Sequence, residues 1–503
     1  MVPDILPVAS DQLAFLLSRI QFGLSVGYHF LFPATTLGLT FLILLSESLH
    51  LKSKDVTYRR ITEFSVKLLT IVFALGVATG IIMPFAFGTN WARFVEFAGS
   101  VFGIHLTLEA VIAFMLEAFF LGVLLFGRNK VGPKVYWLAA FLVFLGSHLS
   151  GFFILSANSW MQAPFHSLAT LASGIPIPAV DGFHLEQTIA GGTAALVSSS
   201  TQLVPGSSIR VVMDDVLKIL FNPTTGIRVL HTTTASWATA SVVFLVVAAW
   251  LFRKGQKTDI AKKIFKMAVI LGAITSLLLP VFGHEHIMQV AKWQPVKSSA
   301  MEGIFKTQTE APLYVIGVMD EEKRQTYGIG VPYMLSVLEG WNINAVVQGV
   351  DDLTAQGKAG LATNQDAHLR YEPPMQPLFQ AFHLMVMAGV TMIGGFLAAL
   401  WILWKKKWDL PRWVWTAFMF MLPLPYLAVE LGWMVAEVGR QPWIVYGLMK
   451  TESGLSPIPR EYVIFSLSLF VLVYIILSLI AAKWIPRIAR EALIEAHEEG
   501  DHK

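Results

Sequence analysis

The chain has 503 residues, of which 55% are hydrophobic and only 14% are charged, against about 25% charged residues in a soluble protein. Its formal net charge of +3 gives no basic field that would suggest a nucleic-acid partner. The absence of cysteine excludes disulfides, thiolate zinc sites, cysteine-ligated iron–sulfur clusters and covalently attached c-type haem, so a metal cofactor needs His, Met or carboxylate ligands.

Nine apolar segments are long enough to cross a bilayer, which takes roughly 20 helical residues. They lie at about 22–46, 66–88, 101–126, 135–157, 226–251, 264–284, 376–404, 413–436 and 462–483. The sequence therefore predicts an all-α, polytopic membrane protein with nine transmembrane helices.

Lysine and arginine concentrate in alternate connectors between these segments. The basic connectors follow the first, third, fifth and seventh segments and contain Lys52, Lys54, Arg59, Arg60, Arg128, Lys130, Lys134, Arg253, Lys254, Lys257, Lys262, Lys263, Lys405, Lys406, Lys407 and Arg412. The short connector after the second segment carries only Arg93. Because basic connectors stay on the cytoplasmic side, the alternation predicts an N-terminus outside and a C-terminus in the cytoplasm.

Two long connectors, residues 158–225 and 285–375, fall on the outer side in this topology. The second connector mixes Gly, Pro and charged residues with moderate apolar content, which favours a folded or semi-ordered cap. We divide the chain into three parts. Residues 1–284 hold the first six helices with the outer connector 158–225, residues 285–375 form an outer loop, and residues 376–503 hold the last three helices and a short cytoplasmic tail.

Ionisable side chains inside the apolar segments mark candidate functional sites, because lipid makes them costly. These residues, with one neighbouring methionine, are His29, His105, Glu109, Glu117, His148, His231, His383, Met385, Glu430 and Glu437. Taken singly, a histidine in a membrane helix is more often hydrogen-bonded to a neighbouring helix, and a methionine is more often a core residue. Position alone favours function most for Glu109 and Glu117.

Helical geometry relates the carboxylates to one another. Glu109 and Glu117 are eight residues apart and would lie within about 80° of each other, whereas Glu430 and Glu437 would share a face about 10 Å apart. Such spacing suits stations along a polar path rather than a carboxylate dyad. On the predicted topology, the other ionisable candidates concentrate in the outer half of the membrane, and Glu117 lies deeper.

Several motifs resemble one known family. They are SRIQFGLSVGYHFLFPATTLG around His29, FALGVATGIIMPFAFGTNW in and after the second segment, SANSWMQAP after the fourth, and GRQPW preceded by Glu437. Together they are similar to subunit I of the cytochrome bd quinol oxidases, in register over nearly the whole chain.

The resemblance implies three haems and assigns residues to them. His231 and Met385 match the axial ligands of a low-spin haem b, a pair that suits electron transfer because it closes both axial positions. His29 and Glu437 match ligands of a high-spin haem b and a haem d, and which residue serves which haem stays open. The third haem could instead be another haem b.

The resemblance also assigns polar residues around the haems and in the loop. Glu109 matches a carboxylate at the di-haem site, Glu117 matches one on a proton route, and Arg440 matches a guanidinium on haem propionates. Ser150, Asn158 and Trp433 match further residues of the cofactor region. Lys297 and Glu302 match a pair implicated in quinol oxidation, in the shorter form of the quinol loop; from residue type alone they would be a solvated salt bridge.

The activity implied is oxidation of ubiquinol or menaquinol at the outer face and reduction of O2 to water. Protons would come from the cytoplasm, which generates a gradient without pumping. The implied setting is a bacterial or archaeal cytoplasmic (inner) membrane, with membrane lipid around the chain and with subunit II and a small accessory subunit as partners. A secondary transporter using Glu109, Glu117 and Glu430 is the alternative, although such proteins usually carry an internal repeat that is absent here.

Two positions depart from the family pattern. His383 stands two residues before Met385, where better-known members carry Arg, and His148 replaces a more usual Asn. Because histidine titrates near neutral pH, the charge near the low-spin haem could depend on pH. Neither change removes an axial ligand.

Overall fold

The computed structural model describes residues 11–164, 167–171, 209–213, 215–358 and 371–491. The short tail predicted at the C-terminus, from residue 492 onward, and much of the connector 158–225 lie outside these residues. The elements are α1 (Gln12–Ser53), α2 (Val56–Asn90), α3 (Ala92–Leu108), a π-helical segment (Glu109–Phe114), α4 (Met115–Phe126), α5 (Pro133–Gln162), β1 (Ser167–Leu171), β2 (Ile209–Met213), α6 (Val216–Leu220), α7 (Thr225–Arg253), α8 (Asp259–Trp293), α9 (Pro295–Glu302), β3 (Leu313–Asp320), β4 (Gln325–Val331), α10 (Met334–Gly340), α11 (Val350–Lys358), α12 (Met375–Lys405), α13 (Arg412–Met419), α14 (Pro423–Val438), β5 (Trp443–Val445), β6 (Met449–Lys450) and α15 (Arg460–Arg490).

Nine helical stretches within the described residues are long and apolar enough to cross a membrane. This confirms the number of spans predicted from the sequence. The helices extend beyond the predicted apolar segments, and α8 continues to Trp293, past the predicted end at 284. The loop that follows it therefore begins later than the sequence indicated.

Two of the spans are interrupted. The third changes from α3 to a π-helical turn at Glu109–Phe114 before continuing as α4. The eighth breaks between α13 and α14, where Pro423 opens the second helix. Proline suits the first turn of a helix because it has no backbone N–H to donate.

Small residues let the central helices approach closely. A Cβ added at Gly38 of α1 would lie 2.3 Å from the Ser236 carbonyl oxygen of α7 and 2.5 Å from the Ala240 Cβ. A side chain at Gly38 would therefore push α1 and α7 apart. Close backbone approach at small residues is a usual basis of helix packing in membranes, where burial of apolar surface provides little force.

Small antiparallel hairpins occur in the connectors, which the purely helical prediction did not include. Strand β1 pairs with β2, β3 pairs with β4, and β5 pairs with β6. Residues 295–358, which we call the cap, contain α9, the β3–β4 hairpin, α10 and α11. Arg324 of the hairpin binds Glu372 just before α12, with Nη1 to Oε2 at 2.9 Å, and also binds Asp351 of α11. The pair with Glu372 ties the cap to the start of α12, and the pair with Asp351 lies within the cap.

All four basic connectors meet at the opposite end of the bundle, which we call the basic end. Lys263 pairs with Asp55 of the first connector, and Lys257 of the third basic connector pairs with Asp409 of the fourth. Arg59 Nη2 donates to Asn129 Oδ1 at 3.1 Å, which links the first and second basic connectors. The basic connectors, which alternate with less basic ones along the sequence, thus lie together at one end of the folded chain.

Candidate functional site

His29 is held in a tautomer that leaves one ring nitrogen available. Its Nδ1 lies 2.9 Å from the Thr79 hydroxyl, and that hydroxyl already donates to the Leu75 carbonyl. Thr79 therefore accepts from the Nδ1–H, and Nε2 carries the lone pair. A Cβ at Gly80 would lie 3.1 Å from His29 Cε1, so the ring rests against bare backbone.

His231 and Met385 also face glycines. A Cβ at Gly283 of α8 would lie 3.4 Å from His231 Cε1, and one at Gly432 of α14 would lie 3.0 Å from Met385 Sδ. His231 Nδ1 is buried without a hydrogen-bond partner. An imidazole and a thioether, each placed against a residue without a side chain, would suit the ligation of a haem.

Glu430 and Trp433 of α14 lie against Gly27, two residues before His29. A Cβ at Gly27 would be 3.1 Å from Glu430 Oε2 and 4.0 Å from the Trp433 ring. Glu430 Oε1 is buried and without a partner. The structure thus places Trp433 and Glu430 against α1 at Gly27, about 200° around the helix from His29.

Glu437, at the end of α14, lies in a buried polar cluster. Its Oε1 accepts from Asn158 Nδ2 at 2.6 Å, and its other oxygen pairs with Arg440. Asn158 Oδ1 in turn accepts from Arg228 Nη1 at 3.2 Å. Arg228 and Arg440 are 6% and 3% exposed, so these charges have been removed from water.

Lys297 of α9 reaches the same cluster. Its Nζ donates to the Ala436 carbonyl at 3.0 Å and lies 3.3 Å from Gln162 Oε1. Burial, reinforced by the positive charges of Arg228 and Arg440, holds the pKa of Lys297 well below its usual range. Sequence reasoning had left a solvated salt bridge as the alternative for Lys297 and Glu302, and the burial of both residues contradicts it.

The cluster has an excess of positive charge. Among its described members, the guanidinium groups of Arg228 and Arg440 face the single carboxylate Glu437, and Arg440 Nη1 is buried without a partner. Buried cations are costly unless anions compensate them. The carboxylates of haem propionates would supply that compensation, so the donor set fits the group that the resemblance implies.

Sequence reasoning missed Arg228, Gln162 and His286. Arg228 stands three residues before His231 on the same helix, a spacing that places both side chains on one face and that the sequence could have revealed. His286 lies beside His231, with ring centroids 5.8 Å apart, and its Nε2 is buried without a partner. His286 fell beyond the predicted end of the sixth span, so it was read as part of a loop.

The angle around the helix axis between Glu109 and Glu117 is smaller than the sequence indicated. The intervening π-helical turn takes up one extra residue, so eight positions advance the chain about as far as seven in an α-helix, or about 20° from the same face. Glu109 Oε1 accepts from the Ser150 hydroxyl at 2.7 Å. Glu117 is buried, its Oε1 lacks a partner, and Gly146 of α5 lies against its backbone.

Two further histidines in the spans, His105 and His148, are satisfied by their surroundings. His105 donates from Nδ1 to the Val101 carbonyl at 2.8 Å, and its Nε2 lies 3.2 Å from the Ser156 hydroxyl. His148 donates to the Phe144 carbonyl and accepts from Trp237 Nε1 at 3.0 Å. These contacts agree with the structural interpretation of His105 and His148.

His383 differs, because both of its ring nitrogens face carbonyl oxygens. Nδ1 lies 2.8 Å from the Phe379 oxygen and Nε2 lies 2.9 Å from the Tyr314 oxygen. A neutral imidazole can donate to only one of them. His383 therefore ties α12 to the β3–β4 hairpin.

Glu302 lies on a different face of α9 from Lys297. The two residues are five apart, about 140° around a helix. Glu302 is 2% exposed, and its Oε2 has no hydrogen-bond partner. Burial, with a smaller contribution from Glu339, raises the pKa of Glu302 to about 8. The structure thus separates the pair: Lys297 reaches the cationic cluster, while Glu302 lines a cavity under the cap.

Two known proteins are similar to this chain over most of its length. Cytochrome bd ubiquinol oxidase subunit 1 of Bacillus subtilis (strain 168) is 31% identical over 488 residues, covering 96% of this chain and 95% of that protein. Cytochrome bd-II ubiquinol oxidase subunit 1 of Escherichia coli (strain K12) is 30% identical over 511 residues, covering 91% and 93%.

A solved structure shares the fold. The bd oxidase from Geobacillus thermodenitrificans superimposes with a TM-score of 0.78 at 27% sequence identity, covering 95% of this chain and 98% of the other. The family model described as cytochrome bd terminal oxidase subunit I matches residues 17–493. The chain therefore belongs to the cytochrome bd terminal oxidase subunit I family.

Proposed function

We propose that this chain is the haem-carrying subunit of a quinol:O2 oxidoreductase that oxidises quinol under the cap and draws the protons for water from the basic end. The buried cluster of Arg228, Lys297 and Arg440 around Glu437 carries the proposal, because its unbalanced charge calls for anionic cofactors. The relatives are named as ubiquinol oxidases, which supports quinol as the reductant. Family membership also excludes the transporter alternative.

The residues that would hold the cofactors carry the imidazole, thioether and carboxylate groups that can ligate haem iron. His231 and Met385 would ligate a low-spin haem b, and His29 and Glu437 would serve a high-spin haem b and a third haem, either haem d or haem b. Bound there, the haems would supply electron transfer and the iron at which O2 is reduced. Arg440 would neutralise propionates, and its release from Glu437 would free that carboxylate.

Glu117 and Glu109 would carry protons toward the O2 site. They lie nearly on one face of the third span, and Glu117 is the nearer to the basic end of the bundle. The Ser150 hydroxyl donates to Glu109 and so orients its carboxylate. A proton can therefore be passed from Glu117 to Glu109 with Ser150 holding the acceptor in place.

Glu302 would accept a proton from the quinol. With a pKa raised to about 8, its carboxyl is largely protonated at pH 7, and its base form increases as the pH rises toward 8. Quinol oxidation should therefore accelerate with pH over this range.

The membrane orientation proposed is N-terminus outside and C-terminus in the cytoplasm. It rests on the four basic connectors that meet at one end, since basic residues favour the cytoplasmic side of a membrane. In this orientation quinol protons leave outside and protons for water enter from inside, so the enzyme is electrogenic without pumping. The bacterial relatives favour the cytoplasmic membrane.

Membership of the family implies subunit II as a partner, and we extend this to a small accessory subunit. Large apolar side chains on the outside of the bundle, such as Phe119 on α4 and Leu479 on α15, are 70% and 66% exposed in the isolated chain. Such surfaces need lipid or another membrane subunit to cover them.

The test is a reduced-minus-oxidised difference spectrum of the purified complex, with His231→Ala as the variant. The low-spin haem should vanish selectively, and its persistence would refute the ligation. The same spectrum of the unaltered complex distinguishes haem d, a chlorin that absorbs toward the red, from a third haem b. Replacement of Glu96, an exposed carboxylate of α3, by Gln serves as a control that touches no proposed ligand.

A further inference from the structure

A small cavity lies between α8, α9 and α10, under the cap. Its walls include apolar side chains such as Met288 and Leu335 and a small number of polar ones. Among the described residues that line it, the titratable ones are His284 on α8, Glu302 on α9 and Glu339 on α10. An apolar cavity with few polar groups is typical of a site for a small organic ligand.

Two buried polar atoms in its wall lack hydrogen-bond partners. They are Glu302 Oε2 and Ser298 Oγ, on residues that are 2% and 4% exposed. Buried polar atoms are rarely left unpaired unless a ligand or water completes them. These two atoms therefore indicate where the hydroxyl of a bound quinol would be received.

Glu339 differs from Glu302 in its access to solvent. It is only half-buried, and the two residues that follow it, Gly340 and Trp341, are exposed. Burial raises the pKa of Glu339 to about 7, close to the value of about 8 for Glu302. Because the two pKa values differ by only about one unit, the equilibrium constant for proton transfer from Glu302 to Glu339 is about one tenth.

The chemistry requires more than one proton to leave this cavity. When a quinol becomes a quinone, both O–H bonds break and two electrons depart, with O2 as the final oxidant in the proposed reaction. Glu302 can hold only one proton at a time. Before it can accept the second proton, it must pass the first to another group.

We propose that Glu339 is a proton-relay residue of the quinol site, which takes protons from Glu302 and releases them to solvent at the cap surface. This inference rests on the proposed function. It identifies the exit for quinol protons and gives α10 a role that the sequence analysis did not assign. Ser298 would orient the quinol hydroxyl toward Glu302.

The experiment uses the complete purified complex and decylubiquinol as the probe, with O2 consumption measured from pH 6 to 9. For Glu339→Gln we expect kcat to fall at least about tenfold with KM changed less than about twofold, because proton release and not binding is impaired. The pH profile should change, and imidazole in the buffer should restore part of the rate. Glu322→Gln is the matched control, since Glu322 is an exposed carboxylate of the cap outside the cavity.

A second assay separates the relay from the rest of the enzyme. Tetramethylphenylenediamine donates an electron without a proton, so its oxidation by Glu339→Gln should match that of the unaltered complex. If Glu339→Gln keeps the kcat and pH profile of the unaltered complex while Glu302→Gln loses quinol oxidation, the relay is refuted and the proposed quinol site stands.

The two proposals fail in distinguishable ways. If Glu302→Gln oxidises quinol at the full rate, the proposed quinol site itself fails, and the relay fails with it. If Glu339→Gln does not assemble with its haems, Glu339→Ala decides. Rescue of that variant by imidazole supports the relay, and lack of rescue overturns it.

Discussion

The two ends of the helix bundle differ in whether their buried charges are compensated within the chain. At the basic end, Glu47 is fully buried and both of its oxygens accept from Arg128 at 2.8 Å. Arg128 also lies over the Tyr136 ring at 4.0 Å. At the cap end, Arg440 pairs directly with Glu437, and Asn158 links Glu437 to Arg228. Lys297 donates to the Ala436 carbonyl next to Glu437. The charges of Glu47 and Arg128 compensate each other within the chain, whereas the cluster around Glu437 needs a further anion.

The largest effect, a loss of stability, should come from breaking the ion pair between Arg128 and Glu47. Arg128→Met leaves Glu47 buried without its partner, which should destabilise the protein by about 3–5 kcal/mol. Thermal unfolding of the purified complex measures it. Arg59→Met, which removes a partly exposed ion pair with Glu63, should cost no more than about 1 kcal/mol. Equal losses for the two variants would contradict the distinction between the ends.

The next effect concerns the path from the basic end to the site. Glu117→Ala should slow O2 turnover about 100-fold, because a proton-transfer group is lost, while all three haems remain visible in the absorption spectrum. Glu96→Ala, on the same span but exposed, should turn over normally. Full activity in Glu117→Ala would remove its role in the proton route.

A smaller effect, on haem affinity, is expected from changes in the cluster around Glu437. Arg440→Leu removes a charged donor proposed for haem propionates, worth about 1.5–3 kcal/mol, so haem affinity should fall about 10- to 100-fold. Haem content per chain measures this. Arg440→Lys should lose an intermediate amount, and Arg460→Leu, an exposed residue, should lose none. Unchanged haem content in Arg440→Leu would mean that the cluster does not serve the haems.

The smallest effect tests a histidine between the two ends. His148→Asn should cost about 1 kcal/mol or less, since one neutral hydrogen bond is exchanged for another. The haem spectrum should not change, because His148 already bonds to Phe144 and Trp237. A shifted spectrum would show that His148 tunes a haem after all.

The outcome for two pairs of ionisable residues shows where sequence reasoning was limited. The spacing of Glu109 and Glu117 could be read, but the π-helical turn between them changes their angle, and a regular helix was assumed. Lys297 and Glu302 were treated as one unit because they are close in sequence. Their helix instead directs Lys297 to the cationic cluster and Glu302 to the cavity, since five residues turn a helix by about 140°.

The sequence by itself determined the membrane class, the nine spans and the kinds of ligand available. These depend on local properties: the length of an apolar run, the sign of charge in a connector and the absence of cysteine. Only the tertiary structure decided which charges are paired, that Arg228 joins Lys297 and Arg440, and that Glu339 shares a cavity with Glu302. Those features depend on segments far apart in the chain, because burial and electrostatic balance depend on every neighbour in space.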